Sequence, residues 1–270
     1  MKNKNIILMI ILLISVVLTA CSVESHEKGN SGNENIKEKD VKASNKEDTN
    51  QEENKNDERV NDMEPYSIVI DKVQNKATKL VGDIVFDEGF DGICEIIGND
   101  SDLISISIDE NKRTIDITSA KRYLDTGGDL VIKLGVPIKE INIDQGNFNL
   151  DISVDSLEQF HGIFECAVNG EIKSNNVKEF KLDLLGARNI DLIGSAESSN
   201  IHIEGSSIVQ GKEMEVKDAK VKLEGVGDCS VYSSNSVDAY VEGVGSITYY
   251  GNPGSVDKKI EGLGVIKEGN

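Results

Sequence analysis

Chemistry in this chain would have to come from few residues, because four cysteines and three histidines stand among 48 acidic side chains. A nucleophile needs a base within reach and a third group that orients the base. Cys166 and Cys229 fall on apolar positions of a repeat described below, where a buried thiol acts as a small hydrophobe. Cys94, in Ile93-Cys94-Glu95-Ile96-Ile97, alternates with its neighbours and has no histidine near it in sequence, so it is expected to be a free, partly buried thiol. His26 lies in a polar tract, and His161 stands beside Gly162 in an expected turn. His202 is flanked by Ile201 and Ile203, whose inward alternation turns it to solvent. No nucleophile and base come together in this pattern, so no catalytic residue is assigned. Beyond Cys21 the cysteines are odd in number, widely spaced and without a Cys-x-x-Cys, which fits neither a disulfide framework nor a zinc site. No metal or other cofactor is expected. Asn99-Asp100-Ser101-Asp102 lacks the glycine and distant glutamate of a calcium loop and reads as a hairpin turn.

The remaining candidate is a row of acids. Glu204, Glu224, Glu242 and Glu261 each precede a glycine of the repeat, so stacking at about 4.8 Å would bring like charges together. Two readings follow: solvated charges that block edge-to-edge aggregation, or a low-affinity site for Ca²⁺ or a basic partner.

The elements that would position these residues are strands. Glycines open Gly186-Ala187-Arg188-Asn189-Ile190, Gly205-Ser206-Ser207-Ile208-Val209, Gly225-Val226-Gly227-Asp228-Cys229, Gly243-Val244-Gly245-Ser246-Ile247 and Gly262-Leu263-Gly264-Val265-Ile266, recurring after 19, 20, 18 and 19 residues. Two residues before each glycine stand Leu184, Ile203, Leu223, Val241 and Ile260, and four after stand Ile190, Val209, Cys229, Ile247 and Ile266. Both columns are apolar throughout. Extended backward, Val168 takes the glycine position and places Cys166 and Ile172 in the apolar columns, while near Gly146 the register fades. A fixed period of this length with apolar columns predicts a β-solenoid whose equivalent side chains form internal ladders. The recurring glycine is expected to serve a corner with positive φ. Upstream, alternating runs predict strands at Tyr66 to Ile70, Leu80 to Phe86, Ile93 to Ile97, Leu103 to Ile108, Thr114 to Thr118 and Leu130 to Leu134. No window after Pro65 sustains a helical apolar stripe, so the fold class is all-β: a single-stranded parallel β-helix over residues 64–270, with its clearest rungs from Phe164 onward.

The N-terminal residues read differently. Lys2 and Lys4 precede an apolar run from Ile6 to Leu18, too short for the roughly 20 residues of a bilayer span and laid out as an export signal over residues 1–20. From Ser22 to about Met63 large apolar residues are nearly missing, which predicts a disordered tether over residues 21–63. About 42 such residues would average roughly 35–40 Å end to end. The net charge of −19, lowered by two on loss of Lys2 and Lys4, disfavours a phosphate backbone, so no nucleic-acid partner is expected.

Two resemblances add to this reading. Leu18-Thr19-Ala20-Cys21 resembles the lipobox of bacterial lipoproteins, which implies cleavage before Cys21 and a diacylglyceryl group on its sulfur, with the membrane as a partner through that lipid. Gly243 to Ile247, Tyr249-Tyr250-Gly251-Asn252-Pro253, Gly262-Leu263-Gly264, the Gly186 to Ile190 rung and Val136-Pro137-Ile138-Lys139-Glu140-Ile141 together resemble the auto-transporter adhesin, head GIN domain family over roughly Val81 to Lys267. That resemblance implies a parallel β-helix on a secreted or surface protein and supplies no catalytic residues. Gly205-Ser206-Ser207 and Gly262-Leu263-Gly264-Val265 depart from the family's small corners.

The function expected is a lipid-anchored, non-enzymatic module on the extracellular face of the cell membrane that adheres to or binds an extracellular or envelope ligand. A carbohydrate-active β-helix enzyme, which would need clustered acids and bases on one outer face, and an envelope sensor or regulatory lipoprotein are the alternatives.

Overall fold

Period-two alternation turns one set of side chains to each face of an extended chain, and burying one set requires another layer against it. The structure is a computed structural model describing residues 63–70, 80–119 and 126–270, within the compact unit Asp48–Asn270. The export signal, Cys21, His26 and the tether up to Asn61-Asp62 lie outside the described residues. The strands are β1 Tyr66–Ile70, β2 Val81–Phe86, β3 Cys94–Ile97, β4 Ile104–Asp109, β5 Thr114–Ser119, β6 Leu130–Leu134, β7 Ile138–Ile143 and β8 Asn147–Asp155. They continue with β9 Gln159–Phe164, β10 Ala167–Leu184, β11 Ala187–Ile203, β12 Ser206–Leu223, β13 Val226–Val241, β14 Val244–Tyr250, β15 Ser255–Ile260 and β16 Leu263–Glu268. Among the described residues the one helical element is a 3₁₀ turn at Ser101–Leu103. The architecture is a parallel β-solenoid of about six turns.

The predicted ladders exist. Leu184 pairs with Ile203, Ile203 with Leu223, Leu223 with Val241 and Val241 with Ile260. Ile190, Val209, Cys229, Ile247 and Ile266 stack likewise. All are buried except Ile260, which is 45% exposed because it lies on the last rung. Each fully buried aliphatic side chain contributes about 1.5–3 kcal/mol, so the ladders carry the stability. On that last rung Lys258 occupies the interior column of Leu182, Ile201, Val221 and Ala239, and its ammonium donates to the Tyr249 hydroxyl at 2.9 Å.

Upstream of Leu184 the register differs from expectation by two residues. Phe164, not Cys166, lies under Leu184, and Val168 lies under Arg188 rather than under Gly186. The partner of Ile190 is Gly170, and that of Leu192 is Ile172. The sequence pattern misleads here because a glycine interrupts the ladder: a Cβ on Gly170 would stand 2.1 Å from the Leu150 carbonyl oxygen.

The corner glycines also serve a different need. Of Gly186, Gly205, Gly225, Gly243 and Gly262, only Gly205 has positive φ. The last four share a close backbone stack: a Cβ on Gly225, Gly243 or Gly262 would fall 2.0, 1.8 or 2.2 Å from the carbonyl oxygen of the glycine one turn below, whereas at Gly186 it would meet the Arg188 guanidinium.

The first strands stack out of sequence order. β1 lies between β5 and β7, and β2 between β6 and β8. Thus the described strands start inside the stack, run to one end and return before winding regularly from β7 onward. That end is closed by antiparallel strands, β4 on β5 and β3 on β6. Asn99 to Asp102 therefore forms no hairpin, since the strands it joins have different partners; Asp100 takes φ 63° and leads into the 3₁₀ turn.

Among the described residues one buried position carries a charge. Arg188 is 4% exposed, in the column between Val168 and Ser207. Its Nη2 donates to the Phe164 carbonyl, while Nε and Nη1 have no partner among the described residues. Burial pushes its pKa down to about 10, against the pull of Cys166 and Glu165. A base held low is one whose protonation costs stability in the fold, and replacing an unpaired buried charge by an apolar isostere removes that cost. Arg188→Met is expected to leave the denaturant midpoint unchanged or raise stability by up to about 2 kcal/mol. A loss of that size would show that the guanidinium holds the corner together.

Candidate functional site

The strand segments ending at Leu184, Ile203, Leu223, Val241 and Ile260 place alternate residues outward on one face. One residue before each ladder position, Asp183, His202, Lys222, Tyr240 and Lys259 stack in register. One residue after it, the predicted column Glu204, Glu224, Glu242 and Glu261 is present. Their N–H groups donate to the carbonyls of Leu184, Ile203, Leu223 and Val241 at 2.7–2.8 Å.

The row of acids does not face itself unrelieved. His202 Nε2 is 2.5 Å from Glu224 Oε2 and Lys222 Nζ is 2.7 Å from the same oxygen. The Tyr240 hydroxyl sits between Glu242 and Glu261, 2.9 and 2.8 Å from their oxygens, and Lys259 pairs with Glu261 at 2.7 Å. The ammonium of Lys222, with His202 behind it, holds Glu224 below the usual carboxylate range. Lys259 and then Tyr240 do the same for Glu261. Hydrogen bonding to the Glu261 carboxylate raises the Tyr240 phenol in turn.

A carboxylate with a lowered pKa contributes stability above its ordinary value of 4.5 and loses it as the pH falls. Glu224→Gln is therefore expected to lower Tm near neutral pH and to converge with the parent between about pH 6 and about pH 3. A constant Tm difference across that range would separate the effect from titration of Glu224.

His161 lies in β9 rather than in a turn. Its Nε2 is 2.6 Å from Asp183 Oδ2, and Asp183 Oδ1 faces His202 Nδ1 at 3.5 Å. Two histidines far apart in sequence thus join one acid–base strip, which alternation explains but spacing alone did not reveal. Asp183, which sequence alone does not single out, is the link. Tyr240, Lys222 and Lys259 were also missed, although counting one residue back from the apolar column finds them.

The thiols lie elsewhere. Cys94 is half-buried, Cys166 and Cys229 are buried, and all three are free; burial pushes each pKa up to about 12. Such thiols carry almost no thiolate at neutral pH. The strip itself offers paired charges on an open face, suited to contacting a polar surface. Among the described residues no cluster of histidine, cysteine and acidic groups has the spacing of a metal site, and no helix is long and apolar enough to cross a membrane.

Comparison with known proteins agrees with the solenoid fold. The family described as "Putative auto-transporter adhesin, head GIN domain" matches residues 83–253. No curated protein matches the sequence. Among solved structures, a putative adhesin from Bacteroides fragilis superposes with a TM-score of 0.63 at 21% identity, covering 76% of this chain and 93% of that one. A putative lipid binding protein from Parabacteroides distasonis gives 0.49 at 16% identity, covering 77% and 95%. A putative adhesin from Parabacteroides merdae gives 0.47 at 17%, covering 77% and 93%.

Proposed function

The chain belongs to the putative auto-transporter adhesin, head GIN domain family, and from that membership we propose that it is a lipid-anchored, non-enzymatic binding module displayed on the cell surface. The observation that carries the reading is the outward face itself: five successive rungs set Asp183, His202, Lys222, Tyr240 and Lys259 on a regular grid. Each charge is met by a partner on its own or an adjacent rung, as in a surface built for contact rather than turnover. The histidines of the strip are engaged by carboxylates, and the described thiols are held protonated by burial. Within the column of Glu204, Glu224, Glu242 and Glu261, the last three would meet a basic partner or Ca²⁺ only by exchanging the donors they already have.

Anchoring rests on Leu18-Thr19-Ala20-Cys21. The protein is expected to fractionate with membranes and to yield a diacylglyceryl-modified peptide beginning at Cys21, and Cys21→Ala is expected to move it to the soluble fraction. Membrane retention of that variant would defeat the lipid anchor. A pull-down from envelope material is expected to recover a partner. Turnover of any polysaccharide in a hydrolase and lyase screen would overturn the non-enzymatic reading.

A further inference from the structure

Beyond the glycine corner each rung turns into a second outward face of different character. There Glu171, Asp191, Gln210 and Ser230 stack in one column, and the Gln210 amide donates to Asp191 at 2.6 Å. The ladder beside this column is broken at one place. Gly211 pairs with Val231 and the next partner of Tyr232 is Glu215, so residues 212–214 form a bulge with no partner on β13, while Glu213 and Met214 stay paired to Ile193 and Gly194 on β11. Met214 turns inward and is buried, while Lys212 reaches across the β13 rung to the Tyr250 ring on β14, 4.4 Å from its centroid. The result is a groove of about 450 Å³ with the polar column as its floor and Lys212, Glu213 and Tyr250 as its wall. Such a volume lies within the roughly 300–1,000 Å³ of small-ligand sites. Bulges recur beside binding sites because they re-aim side chains at the expense of ladder hydrogen bonds.

We propose that this groove binds a neutral oligosaccharide, which names the ligand class of the surface-binding function and rests on that reading. A sugar ring presents apolar C–H edges and a rim of hydroxyls that both donate and accept. Tyr250 is half-buried with Lys212 over one ring face, and the rest of its ring offers an apolar wall at little entropic cost. Asp191 accepts two hydroxyl protons, and the Gln210 amide both donates and accepts. The lining counts Glu171, Asp191 and Glu213 against Lys212, in a chain of net charge −19. This balance repels uronic acids and phosphorylated glycans, so the ligand is uncharged.

The test is calorimetric titration of the full-length protein with maltotetraose, cellotetraose and chitotetraose, with tetragalacturonate as the anionic comparison. At least one neutral tetrasaccharide is expected to bind and tetragalacturonate to bind none. Tyr250→Ala and Asp191→Asn are each expected to weaken binding about 10-fold or more, Tyr250→Phe to keep most of it, and Lys178→Ala, far from the groove, to change nothing. A thermal melt of each variant separates loss of the site from loss of the fold. Failure of all three neutral sugars to bind, or undiminished binding by a folded Tyr250→Ala, overturns the saccharide inference. A partner recovered from envelope material by both parent and Tyr250→Ala would sustain the surface-binding reading while refuting this one.

Discussion

Gly243→Ala is expected to cost at least about 3 kcal/mol and to lower Tm by roughly 6–12 °C, the scale for a unit of this size. The added Cβ would lie 1.8 Å from the Gly225 carbonyl oxygen, and Gly225 is itself pressed against Gly205 at 2.0 Å by the same measure. Neither contact involves the far end of a flexible side chain, so relief requires adjoining turns to move apart. That would lengthen the hydrogen bond from Val244 N–H to the Gly225 carbonyl, 2.9 Å in the native stack. Gly254→Ala is the matched control, because the nearest atom to its Cβ would be Asn235 O at 3.7 Å. Its effect should stay within about 0.5 kcal/mol. Equal melting curves for the two variants would refute the account of the glycine column as a steric requirement.

The second large effect lies in the interior. Phe160 and Phe180 are fully buried and stacked with ring centroids 5.2 Å apart, and the column narrows above them to Ser199, Ala219 and Val237. Phe180→Ala should cost about 3–5 kcal/mol in denaturant unfolding, toward the upper end because the turns on either side are pinned by backbone hydrogen bonds and collapse poorly. The Phe160→Ala, Phe180→Ala double variant should cost less than the sum of the singles by about 0.5–1.5 kcal/mol, the coupling of an aromatic pair. Strict additivity would mean that the rings stabilise the stack independently.

The strand positions were legible because burial of one face forces period-two alternation, and β1 and β6 coincide with the alternating residues. The ladders from Leu184 onward were legible because stacked turns demand equivalent residues at equal intervals. Upstream the same logic failed at Gly170 and Arg188, which break the apolar columns with a glycine and a cation. The early strand order was hidden because parallel partners of β1 and β2 lie far away in sequence and leave no local mark. On the charged face, Asp183, His202, Lys222, Tyr240 and Lys259 follow the repeat faithfully but differ in type, so a search for like residues passes over them. The meeting of Lys212 and Tyr250 depends on a bulge that changes the length of one turn, which a fixed-period count cannot foresee.

Lys258 bears on how such a fold stays finite. Parallel coils can in principle grow without limit, since the final turn exposes the same unpaired amides and carbonyls on which it was itself laid down. Here the interior slot that a next copy or a stray extended peptide would cover holds an ammonium tied to Tyr249. Any strand laid on that edge would have to desolvate the cation. At the far end the strand direction reverses, so a further parallel turn laid there would meet antiparallel strands instead of a matching coil.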